Sequence, residues 1–202
     1  AVSAASVLGG SGNDTLRFGG AVSGATIDAG ENTNLLVFSS TAAANISSAG
    51  ALTATFGGGA TVNFGSQILS GSQISFSSAN DMATFAGDVS GGTIFGGGGA
   101  DTLKFSGNVT VGFGDAIASA SQISFAAGND MATFSGAVSA ASVLGGSGND
   151  TLRFGGAVSG ATIDAGENTN LLVFSSTAAA NISSAGALTA TFGGGATVNF
   201  GS

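Results

Sequence analysis

The groups in this chain that could do chemistry are carboxylates and little else. Eleven Asp and Glu stand against three basic residues, Arg17, Lys104 and Arg153, giving a net charge of −8, and there is no Cys, His, Trp or Tyr. Without a thiol, an imidazole or a phenol, most nucleophilic and general-base chemistry has no residue to run on. The charge opposes binding to nucleic acid or anionic lipid and suits the attraction of cations. Several acids recur 20 residues apart, Asp81 with Asp101 and Asp130 with Asp150. Should that spacing stack them about 5 Å apart, their charges repel unless a cation or hydrogen bonds intervene. Asp28 and Glu31 could be imagined as a catalytic carboxyl pair, but no Trp or Tyr platform for a sugar accompanies them, and they read as a solvated turn. The chain is expected not to be an enzyme.

The elements that must position these carboxylates are repetitive at three levels. Ala1 to Ser66 reappears without a substitution as Ala137 to Ser202, so residues 1–136 read as one full repeat and 137–202 as the start of an identical next one. Cores tolerate hydrophobic exchange and surfaces tolerate more, so an unmarked identity of this length exceeds what a shared fold needs. It points to recent duplication in a long array, of which this chain reads as a window. Inside the repeat, Thr61 to Gly107 aligns with Thr110 to Gly156 at an offset of 49 residues. Below that lies a spacing of 20, from Phe18 to Phe38, Phe85 to Phe105, Phe134 to Phe154 and Phe154 to Phe174. A period near 20 is one coil of a solenoid.

Within a coil, Thr15-Leu16-Arg17-Phe18 and Thr102-Leu103-Lys104-Phe105 place their apolar pair at i and i+2, on one face of a strand, with the basic residue outward. Such stretches lie between clusters of Gly, Ser, Asn and Asp, and nothing reads as a capped helix. Gly is 37 of 202 residues and Pro is absent, which excludes collagen and polyproline segments and assigns glycine to tight turns. The expected fold is all-β, a single continuous right-handed parallel β-solenoid with coils of about 20 residues. Each repeat would hold about seven coils and rise on the order of 33 Å. Phe18, Phe38, Phe85, Phe105, Phe134, Phe154 and Phe174 are the expected core ladder. No apolar run reaches the roughly 20 residues that span a bilayer, so no membrane insertion is expected.

Three glycine-rich turns end in an aspartate: Gly9 to Arg17, Gly96 to Lys104 and Gly145 to Arg153 each fit G-G-x-G-x-D-x-U-x, where U is a large apolar residue. These residues resemble the hemolysin-type calcium-binding repeats, the RTX family of secreted bacterial toxins, adhesins and surface-layer proteins. The resemblance implies calcium, with Asp14, Asp101 and Asp150 as carboxylate ligands. It also implies that Gly10, Gly12, Gly97, Gly99, Gly146 and Gly148 shape the coordinating turns. Family members run two such nonapeptides per coil of about 18 residues; here each match stands alone in a coil nearer 20.

Two further patterns are weaker. Asn13, Asn45 and Asn108 fit the N-x-S/T acceptor, as chance alone would produce in so Ser- and Thr-rich a chain. Thr53-Ala54-Thr55 has the Thr-x-Thr form of ice-binding solenoids, but that surface needs it in consecutive coils. The expected role is the structural repeat region of a secreted bacterial cell-surface protein, a fibre, sheath or surface layer that self-associates head-to-tail or laterally. The alternative is a calcium-stabilised stalk of a large adhesin or toxin.

Overall fold

Many of the short strands are built from one alternation. A polar residue, an apolar residue and a Phe sit at i, i+2 and i+4 and point inward: Asn34-Leu36-Phe38, Asp81-Ala83-Phe85, Asp101-Leu103-Phe105, Ser121-Ile123-Phe125, Asp130-Ala132-Phe134 and Asp150-Leu152-Phe154 are all buried. The residues between them, Arg17, Lys104 and Arg153 included, lie on the outer surface. Burying this one stripe requires another strand across from it, and each coil supplies one.

The structure, a computed structural model, describes residues 1–201 and has no helix among them. It is a parallel β-solenoid of about ten coils, each near 20 residues. The coils pass alternately through two parallel sheets, a front sheet of 13 strands, in which two coils each contribute a pair of short strands, and a back sheet of 10. Their inward residues form one continuous core. Residues of the second copy repeat the pairing of the first: Thr15 opposes Leu35 as Thr151 opposes Leu171, and Val2 opposes Val22 as Val138 opposes Val158.

The 49-residue offset has a different meaning. Gln73–Ser75 lies in the back sheet, whereas its counterpart Gln122–Ser124 lies in the front sheet. Met82–Phe85 and Thr102–Phe105 are front strands; their counterparts Met131–Phe134 and Thr151–Phe154 are back strands. The offset therefore spans two and a half coils, and the same sequence builds either wall. Backbone conformation follows the exchange. Gly71 and Gly91 have φ of 83° and 88°, and their counterparts Ala120 and Ala140 keep the left-handed conformation at 64° and 47°.

The phenylalanines stack along the axis in three columns. One runs up the back sheet from Phe18 through Phe38 and Phe56 to Phe76. A second climbs the front sheet through Phe64, Phe85, Phe105 and Phe125. The third, from Phe113 through Phe134, Phe154 and Phe174 to Phe192, is in the back sheet again. Successive rings in the third column lie 4.7 to 5.0 Å apart and within 8° of parallel. The second column hands over to the third by an edge-on contact of Phe105 with Phe113 at 6.3 Å. Offset-stacked rings contribute about 0.5 to 1.5 kcal/mol per pair beyond the area they bury.

Candidate cation-binding turns

The aspartate of each glycine turn is the first inward residue of the strand that follows. Its side chain therefore enters the solenoid wall instead of facing solvent. Asp101, Asp130 and Asp150 are 4%, 1% and 1% exposed; Asp14, in the first coil, is half-buried. One carboxylate oxygen is used along the axis. Asp101 Oδ1 accepts the Asp81 N–H at 3.0 Å, and Asp150 Oδ1 accepts the Asp130 N–H at 2.9 Å. Asp81 and Asp130 in turn accept the N–H groups of Ala60 and Val109 at 2.6 and 2.8 Å. Thus the stacked carboxylates are separated by hydrogen bonds, each one closing the strand edge of the coil before it.

The other oxygen is what makes these turns a candidate site. Oδ2 of Asp14, Asp130 and Asp150 is buried with no hydrogen-bond partner. A buried carboxylate oxygen without a partner is costly to leave alone. Burial pushes the Asp101 and Asp130 carboxyls up to about 6 against the backbone hydrogen bonds they accept, and the neighbouring carboxylates add to the rise. Burial raises Asp81 and Asp150 as well. A buried carboxylate oxygen without a partner is open to either a proton or a cation.

Where Asn occupies the same position the problem is solved differently. The Asn170 Oδ1 accepts the Asp150 N–H at 2.9 Å, and its Nδ2 donates to the Glu167 and Gly166 carbonyls at 2.9 and 3.3 Å. Asn34 does the same for Asp14. Ser121 caps Asp101 through its hydroxyl at 3.1 Å.

The glycines of all three motifs, Gly10, Gly12, Gly97, Gly99, Gly146 and Gly148, have positive φ. Gly146 and Gly148 also have no room for a side chain: a Cβ there would run into the Ala126 and Gly128 carbonyls of the coil below. Close coil-on-coil contact is thus one reason for glycine in these turns. The Gly10 and Gly146 carbonyls accept the Glu31 and Glu167 N–H groups at 3.0 and 2.9 Å. A carbonyl has a second lone pair, so these oxygens remain able to share a cation.

The structure brings Asp150 together with Asp130, Asp101 with Asp81, and Asp14 with Asn34. It gathers no group of three or more acidic, His or Cys side chains among the described residues. Sequence reasoning missed Asp115, whose two oxygens accept the Gly96 and Gly97 N–H groups at 3.0 and 2.8 Å and hold the middle motif from the coil above. Its place in an irregular turn carries no spacing signal. Thr53 and Thr55 face outward but are flanked in register by Leu35 and Val37 below and Gln73 and Ser75 above, so their Thr pair is not extended to neighbouring coils. Comparison with models of known families, with curated proteins and with solved structures finds no match.

Proposed function

We propose that this chain is the structural repeat region of a secreted bacterial cell-surface protein and builds a fibre, sheath or surface layer, without enzymatic activity. One observation carries the reading. Both sheets run without a break through the junction at residue 137, and the identical second copy re-enters the register of the first. A module that returns to its own register after a whole number of coils can be added indefinitely, which suits a filament. Electron microscopy of a chain carrying four tandem repeats tests it. Straight fibres that lengthen with each added repeat are expected, and compact monodisperse particles overturn the reading.

The orphaned carboxylate oxygens favour a second reading, a calcium-stabilised stalk of a large adhesin or toxin. Hard oxygen ligands suit calcium, which takes six to eight of them. The Oδ2 atoms of Asp14, Asp130 and Asp150 would supply the carboxylates, and the glycine-turn carbonyls the neutral oxygens. Bound calcium would neutralise the buried charge and tie adjacent coils together. Thermal melting in millimolar calcium and in chelator decides the matter: the stalk reading expects a calcium-dependent rise in Tm that Asp150→Asn diminishes. Equal melting in both conditions removes it.

A further inference from the structure

The three glycine motifs are alike in sequence and unlike in what their aspartates meet. In Gly145 to Arg153, Asp150 is buried, its Oδ1 accepts the Asp130 N–H, and its Oδ2 is enclosed without a partner. That oxygen lies 3.1 Å from the point where a Gly145 Cβ would stand, and the Ala165 carbonyl of the coil above crowds the same point. Ala165 is fully buried, yet among the described residues no backbone N–H donates to its carbonyl. Two acceptors therefore converge beside a position that carries no side chain. The identical turn of the first copy repeats the arrangement: Asp14 Oδ2 lies 3.0 Å from the Gly9 Cβ position, next to an Ala29 carbonyl that likewise accepts no backbone N–H.

The middle motif departs from this. The Gly96 Cβ position meets Asp101 Oδ2 at 3.4 Å and no carbonyl. The coil above supplies Asp115 instead, whose two oxygens accept the Gly96 and Gly97 N–H groups, and Asp101 leaves no oxygen both buried and unpartnered. The other two inward aspartates lack the arrangement for separate reasons. Asp81 Oδ2 accepts the Ser77 N–H at 3.2 Å and the Ser77 hydroxyl at 3.4 Å. Asp130 Oδ2 is unpartnered, but Phe125 stands five residues before it where Asp150 has Gly145, so its turn lacks the position free of a side chain.

We propose that each 136-residue repeat holds one hard divalent cation, at the turn Gly145 to Asp150 and its identical copy Gly9 to Asp14, and that the matching turn Gly96 to Asp101 holds none. The inference rests on the calcium reading above and narrows it, since the motif by itself marks three equal turns. Asp150 Oδ2 and the Ala165 carbonyl are the oxygens that single out the turn, and both are of the hard kind that calcium takes. Neither acceptor can satisfy the other, whereas one cation satisfies both. Because the two oxygens come from successive coils, the ion clamps those coils together just past the repeat junction at residue 137. In the middle motif Asp115 makes the tie between coils with hydrogen bonds and needs no ion.

Calorimetric titration of calcium alone into the chelator-stripped 202-residue chain counts the sites. Two per chain are expected. Asn at these positions keeps the axial acceptor, as Asn170 does for Asp150, so Asp→Asn variants should fold, and far-UV circular dichroism checks that they do. Asp150→Asn is expected to remove one site and the double variant Asp14→Asn with Asp150→Asn both, while Asp101→Asn keeps two with Kd changed by less than about twofold. Three sites in the parent, the loss of a site in Asp101→Asn, or two sites surviving in the double variant overturns the proposal and leaves the calcium reading standing. No binding up to about 10 mM calcium, well above the range of protein calcium sites, overturns the two together.

Discussion

At the scale of single residues, the inward aspartates make acid a stabiliser. The Asp101 and Asp130 carboxyls are pushed up to about 6 in the folded chain, largely by burial. An unfolded Asp titrates near 3.9. Between these values the folded state holds protons that the unfolded state has released, so stability falls as pH rises through the window and is greatest at its acidic end. In chelator, the melting temperature is therefore expected to be higher at pH 5 than at pH 7.5. Asp130→Asn should lessen that difference and match or exceed the parent at pH 7.5. The Asn170 arrangement shows why: the amide oxygen keeps the axial hydrogen bond, and the amide nitrogen donates to the turn carbonyls three and four residues back. Thermal melting followed by circular dichroism checks both statements. A chain more stable at pH 7.5, or an Asn variant that loses more than about 1 kcal/mol there, contradicts the account.

At the scale of the element, alternation made the strands legible. Leu16 and Phe18 read as inward from their spacing alone, and the same rule extended two residues back points Asp14 inward with them. The resemblance to calcium turns drew attention to the glycines and away from that parity. The coil length was legible from Phe pairs 20 apart, such as Phe85 and Phe105. Stack members Phe64, Phe113 and Phe192 were not, because their stacked partners Phe85, Phe134 and Phe174 lie 18 or 21 residues away. Turns absorb such differences without disturbing strand register, since loop closure depends only weakly on length. Phe18 and Phe85 were expected in one ladder and belong to different columns on opposite sheets. Sequence spacing counts coils but carries no direct mark of the wall, and the 49-residue offset acquires its meaning only once strand pairing is known.

At the scale of the molecule, the half-coil is the unit of exchange, and this makes the length of an insertion or deletion decisive. Each strand touches little beyond the strands above and below it and those across the core, so stability is close to a sum of neighbour terms. Removing residues 61–109, so that Ala60 is followed by Thr110, takes out the 49-residue offset. It joins Ala60 to the sequence that already replaces Thr61–Phe64 in the other wall, and every later strand moves to the opposite sheet. Inward residues stay inward and Phe113 takes the place of Phe64 above Ile46, so the shortened chain is expected to keep its β signal and melt cooperatively. A deletion shorter by one residue, 62–109, inverts the parity of the first rejoined strand unless the turn absorbs the slip, turning Val111 and Phe113 outward. Exposing a buried Val and a buried Phe forfeits about 1.5 to 3 kcal/mol for each. Denaturant titration of the two deletions compares them directly. The in-phase variant should unfold at clearly higher denaturant than the out-of-phase one, and equal midpoints would mean that the two walls are not interchangeable after all.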